Sequence, residues 1–297
     1  MSILQAGKRI LMTKENLTKN PILNQFPRSK DLPTQSSKYW AKEKDRYLRQ
    51  LLLADLKERT GRETLVYFSQ LNEGINHTDA DDLSEVIEGL DTKDIDLIIQ
   101  TPGGGVDAVE KLITLLKCRL DSYRVIVPSW AKSGGTAIAI SSKQILLGIN
   151  SELGPIDPQM VMVVNDQPTP VPCEFVVDDV TQPHLVQQIA KTSVERMKSL
   201  AKKILRDGML ADKNEEDLDR TIEKLSSSDS YKSHGAVIDY SEAKSLGLNV
   251  AWMEPDSPEW KTVWLLYCCY EYDTKLKNLG KIIEGEKYSI SRLSSYA

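Results

Sequence analysis

The sequence predicts an α/β fold on a mainly parallel sheet. Two observations predict it. Apolar runs of strand length alternate with segments of helical periodicity, so strand, helix, strand, helix, strand recurs from residue 64 to residue 149. The run "IDLIIQT" (95–101) is largely apolar along its length, as expected of a strand covered on both faces in a parallel sheet. Repeated crossovers of this kind are right-handed almost without exception.

Each element follows from its own pattern. Residues 1–37 form a polar arm in which Pro21, Pro27 and Pro33 break any long helix. From Ser37 a helix is predicted, with Trp40, Tyr47, Leu48, Leu51, Leu52 and Leu56 at helical spacing and Gly61 as its stop. "TLVYFSQL" reads as a strand, and "DADDLSEVIEGL" as a short helix whose acidic first turn suits the positive end of its dipole. After "IDLIIQT", the segment "VDAVEKLITLLKCRL" sets Val106, Val109, Leu112, Ile113 and Leu116 on one face. The strand "RVIVPSW", the small-residue helix "GGTAIAISS" and the strand "QILLGI" complete the series. A polar, proline-rich patch, "NDQPTPVP", interrupts the pattern after residue 164. Helices are expected over about 183–206, 214–225 and 258–280, with a short helix and a final strand inside "SHGAVIDYSEAKSLGLNVAWM". The domain reading is an arm (1–37), a main domain (38–255) and a helical extension (256–297).

Composition narrows the function classes. With 38 basic and 43 acidic residues the formal charge is −5, and no block of like charge calls for nucleic acid or an anionic membrane. The four cysteines form no CxxC pair and there is no HExxH signature, so neither a disulfide framework nor a zinc site is expected, and no cofactor is required. The amino terminus is too polar for a signal peptide, and "WKTVWLLYCCY" falls short of the roughly 20 apolar residues of a membrane span. A soluble, cytoplasmic protein is expected.

Two glycine turns carry the chemistry. "TPGGG" ends one predicted strand and "AKSGGT" ends the next, and ligands of a parallel sheet sit at the carboxyl ends of its strands. Each turn opens a helix whose first amides lack partners, and glycine lets that backbone approach a ligand. Neither turn has phosphate-loop spacing. The alternative is an oxyanion hole beside a nucleophile: Ser133, with donors from Gly134 and from the region of Gly104. Spacing alone leaves this reading level with an inert turn.

Taken together, "IDLIIQTPGGGVDA", "PSWAKSGGTAIAIS" and "NSELGPIDPQ" resemble the serine dehydrogenase proteinase family, a branch of the Clp-protease and signal-peptide-peptidase-A superfamily. "EKDRYLRQ", "TGRETLVYFS" and "SHGAVIDYSEAKSLGL" extend the resemblance over about 38–252. It implies a ClpP/crotonase-like spiral of ββα units, a homo-oligomer, a peptide or protein substrate, a nucleophile at Ser133 and oxyanion donors at Gly104 and Gly134, with Gly103 and Gly135 in support. Ile156 and Asp157 stand where the Clp subunit has its catalytic histidine, so that order of triad residues is not carried over. The signal-peptide-peptidase branch uses a serine–lysine dyad, which makes Lys191, on the helix after the "GPIDPQ" loop, the first candidate base; its other reading is a solvated helix lysine. Lys132 fits a positioning role. His234 is a base if its loop folds over the crevice and a polar loop residue otherwise. Asp157 orients a base or shapes a turn before Pro158. Two rivals to a serine peptidase stay open: a catalytically inactive scaffold, and an acyl-CoA enzyme of the same fold.

Overall fold

The computed structural model describes residues 36–295; the first 35 residues of the expected arm lie outside them. Helix α1 (Ser37–Thr60) starts where the Ser36 side chain accepts from the Tyr39 N–H and stops at Gly61, whose φ of 72° a side chain disfavours. There follow β1 (Glu63–Ser69), α2 (His77–Ile87), β2 (Asp94–Gln100), α3 (Val106–Arg119), β3 (Ser122–Val127), the two-residue β4 (Trp130–Ala131), α4 (Gly134–Ile140), β5 (Ile145–Leu147) and β6 (Glu152–Leu153). The second half holds β7 (Gln159–Val164), β8 (Gln167–Pro172), α5 (Cys173–Val177), α6 (His184–Arg206), α7 (Glu215–Ser226), α8 (Ser228–Tyr231) and α9 (Tyr240–Ser245). It closes with β9 (Val250–Trp252), α10 (Pro258–Leu276), β10 (Leu279–Glu284) and β11 (Ser289–Leu293).

The main sheet runs β11-β10-β1-β2-β3-β5-β9. Strands β1, β2, β3, β5 and β9 are parallel, and β10 and β11 add antiparallel at one edge. A second, small parallel sheet, β4-β6, stands on the carboxyl ends of the main strands. Alternate residues of the central strands point to opposite faces. Leu65, Tyr67, Leu97, Ile99, Val125 and Val127 join the core under α2, α3, α4, α6 and α7, whereas Val66, Phe68, Ile98 and Ile126 meet Leu52, Leu56, Trp260 and Val263 of α1 and α10. Both faces are covered, which explains the unbroken apolar run of β2.

Two expectations need correction. The extension over 256–297 is not helical throughout: after α10 the chain returns as β10 and β11 and joins the sheet beside β1. Buried Arg49 of α1 clamps this return, donating to both carboxylate oxygens of Glu284 at 3.0 and 2.9 Å and pairing with Asp273 of α10. The patch "NDQPTPVP" is no interruption but the turn and second strand of the hairpin β7–β8. Asn165 and Asp166 both have positive φ, as a two-residue hairpin turn requires. Pro168, Pro170 and Pro172 fall on alternate residues, so the missing amides all face the free edge and the pairing edge keeps its donors.

Candidate active site

The two glycine turns lie against each other at the carboxyl ends of β2 and β4. Backbone bonds tie them: Thr101 N–H to Trp130 O at 3.3 Å and Lys132 N–H to Thr101 O at 3.0 Å. A Cβ on Gly103 would come within 2.7 Å of Gly134 N, Lys132 O and Ser133 Cβ, and Gly103 has φ +97°, so that position takes only glycine. Gly104 is as constrained by contact: a Cβ there would lie 2.3 Å from Ile75 O and 2.4 Å from Ile75 N.

Ser133 stands at the sharpest bend, with φ 50° and ψ −114°. A non-glycine residue in this region is strained by on the order of 1–3 kcal/mol and persists only where its surroundings enforce it. The enforcement is visible. Gly135 N–H donates to Lys132 O at 2.7 Å, and a Cβ on Gly135 would strike Thr101 Cγ2 at 2.6 Å. The buried Thr136 hydroxyl lies 2.8 Å from both Ala131 O and Gly154 O and accepts from Gly154 N–H at 3.0 Å. Neither Gly104 N–H nor Gly134 N–H has a backbone acceptor among the described residues. Gly104 N lies 3.3 Å from where a Gly134 Cβ would sit, so two unpartnered donors flank one serine.

His234 Nδ1 lies 2.7 Å from Asp157 Oδ1. Asp157 is buried, and its other oxygen accepts from Gln159 Nε2 at 2.7 Å and Ser228 Oγ at 3.0 Å. A carboxylate only accepts, so Nδ1 is the donor, and in the neutral tautomer this fixes, Nε2 is the acceptor. Ser228 is itself held by Glu174, which accepts from its N–H at 2.7 Å. Lys132 joins the parts. Its ammonium donates to Leu153 O at 3.1 Å and Ala236 O at 3.0 Å and pairs with Glu152 at 2.9 Å. It therefore binds the residue before Ser133 to the segment leading to Asp157 and to the loop of His234, with all three donors engaged.

Lys191 lies on the surface rather than in a buried site. A lysine base has to be buried to shed its proton. The Lys191 side chain is 56% exposed on α6 and lies 4.0 Å from the Glu195 carboxylate, so the structure supports the solvated reading. His234 and Asp157 were both visible in the sequence as candidates; their pairing, 77 residues apart, was not. Ser228 and Gln159 were missed altogether, since nothing distinguishes a serine or glutamine that orients a carboxylate until the fold brings them together.

The family model described as ClpP-like SDH-type serine proteinase matches residues 75–274, more than half of the chain. The chain belongs to that family. Every residue of the candidate site lies within the matched segment of this ClpP-like SDH-type proteinase. An uncharacterized protein of Methanocaldococcus jannaschii is 34% identical over 165 residues, covering 53% of this chain and 54% of the relative. A second from the same organism is 44% identical over 66 residues, 22% of this chain and 23% of the relative. The chain thus spans about half the length, or less, of the curated relatives it matches. Among solved structures, a mutant of ClpP1 from Listeria monocytogenes aligns at 16% identity and TM-score 0.43, over 69% of this chain and 99% of the other. A membrane-bound stomatin-specific protease, 1510-N, aligns at 17% identity and TM-score 0.41, over 61% and 75%. Among the described residues no helix is long and apolar enough to cross a membrane, and no cluster of three or more histidines, cysteines or carboxylates is arranged to hold a metal ion.

Proposed function

We propose that the protein is a serine peptidase in which Ser133 is the nucleophile, His234 the general base and Asp157 the residue that orients it. The observation that carries this reading is the strained serine between two unpartnered amides. Strain of that kind needs a compensating use, and a half-buried hydroxyl beside two N–H groups without backbone acceptors provides one.

Ser133 Oγ attacks the carbonyl carbon of a peptide bond while its proton passes to His234 Nε2. The carbonyl oxygen gains charge and takes hydrogen bonds from Gly104 and Gly134 N–H. The tetrahedral species collapses as the C–N bond breaks, and the imidazolium gives its proton to the leaving amine. Water then attacks the acyl-serine by the same route, returning the proton to Ser133. Asp157 holds the imidazole tautomer throughout, and Gln159 and Ser228 hold Asp157. This triad follows a chain order of serine, aspartate and histidine at spacings set by this fold. The reading includes a peptide or protein substrate, a homo-oligomer that limits access to the site, and a cytoplasmic location.

Intact mass after treatment with a fluorophosphonate tests it, on wild type and on Ser133→Ala. One adduct on wild type and none on the variant is the expected result. No adduct on folded wild type contradicts an activated serine and leaves the non-catalytic scaffold as the better reading.

A further inference from the structure

Beyond the matched segment, Lys281 forms a buried ion pair with Asp79 beside the loop that meets the first glycine turn. Lys281 of β10 has a side chain only 4% exposed. Its ammonium donates to Gly74 O at 2.7 Å and to the two oxygens of Asp79 at 2.9 and 2.7 Å. Asp79 also accepts from Tyr67 OH and from Asn76 N–H, both at 2.8 Å, which closes the first turn of α2. The loop 70–76 is fastened to β10 elsewhere as well. Gln70 N–H donates to Gly280 O, and Gln70 Nε2 donates to Leu279 O, each at 2.9 Å.

Within this loop, Ile75 N–H donates to Gly103 O at 2.6 Å. Gly103 O and Gly104 N–H belong to one peptide unit. In a trans peptide they point in opposite directions, and no cis bond occurs among the described residues. Whatever holds Gly103 O therefore aims Gly104 N–H. Glycines on both sides give this peptide plane few steric preferences of its own, and the bond from Ile75 helps select one orientation.

Resting on the serine-peptidase reading, we propose that Lys281 is a positioning residue for the oxyanion hole: through Gly74 and Asp79 it fixes Ile75, which fixes the Gly103–Gly104 peptide with its N–H toward Ser133. The carboxyl-terminal strands thus complete a site whose reacting groups all lie earlier in the chain.

The test is saturation kinetics of fluorophosphonate labelling of the full chain, separating the maximal rate kinact from the half-saturating concentration KI. In Lys281→Met, kinact falls about 10- to 100-fold, because one donor no longer meets the developing oxyanion, while KI stays within about twofold. Lys281→Arg, which keeps a cation between Asp79 and Gly74 O, restores kinact. Lys281→Met leaves Asp79 buried without its cation, so the double variant Lys281→Met/Asp79→Asn removes both charges and carries the test where the single variant melts. A folded variant that labels at the wild-type kinact overturns the positioning role while leaving Ser133 as the nucleophile. A rise in KI with kinact unchanged overturns it too. Wild type that does not label overturns the peptidase reading, and this inference with it.

Discussion

The two glycine turns meet the same steric problem in opposite ways. The first places glycine at its positive-φ position, Gly103, and asks nothing of a side chain there. The second places Ser133 at φ 50° and accepts the strain. On the proposed function, the difference tracks what each turn would supply. The first would contribute an amide, which glycine presents as well as any residue. The second would have to present a hydroxyl at the same point where its backbone turns, so that chemistry would rule out glycine and the surrounding bonds bear the strain. Between these two turns, the conformational cost falls where the proposed chemistry needs a side chain.

The largest expected effect tests whether the hydroxyl has a partner. His234→Ala lowers the rate of fluorophosphonate labelling about 1,000-fold, whereas Lys191→Ala leaves it unchanged. The reverse ranking would restore the lysine base. The next effect lies in the first turn. Gly104→Ala drives a Cβ into the Ile75 backbone and costs about 3 kcal/mol in denaturant unfolding, while Gly105→Ala, with nothing within 4 Å, stays within about 0.5 kcal/mol. Equal stabilities would show that the turn has slack and that its glycines are not set by contact. A smaller effect isolates the strain itself. Ser133→Gly melts higher than Ser133→Ala, by about 1 kcal/mol, because only glycine relaxes at that φ and ψ. If the two melt together, the serine bend is not strained and the contrast between the turns fails.

The smallest effect concerns the loop that braces the first turn. Burial pushes the Glu73 carboxyl up, but hydrogen bonds from Ser295 N–H and from the Ser294 and Ser295 hydroxyls, with the Lys281 charge, outweigh it and hold the group below its usual range. A carboxyl lowered on folding adds stability above its unfolded pKa and loses it as pH falls through the folded value. Wild type therefore loses stability in acid, below the ordinary glutamate range, more steeply than Glu73→Gln. Parallel acid limbs in thermal melts across that window would contradict the assignment.

How much of this was legible in the sequence depends on range. The adjacency of the two turns could be read because consecutive parallel strands usually neighbour one another, and β2 and β3 do. Ser133, Gly104 and Gly134 followed from that adjacency and from the resemblance. The partnership of His234 with Asp157 could not be read, because no periodicity links residues 77 apart. Strands β10 and β11 were hidden for a different reason. "LGKIIE" carries Lys281 and Glu284 into the interior, where buried partners satisfy them, so its polar residues concealed a buried strand. The same two charges give the carboxyl-terminal strands their hold on α1 and on the oxyanion loop.

The most direct measurement is a crystal structure of the fluorophosphonate-treated protein. The account predicts phosphorus bonded to Ser133 Oγ and one phosphoryl oxygen about 3 Å from both Gly104 N and Gly134 N. A phosphoryl oxygen turned away from both amides, or an adduct on another residue, would contradict the claim that the two turns form one oxyanion-binding site.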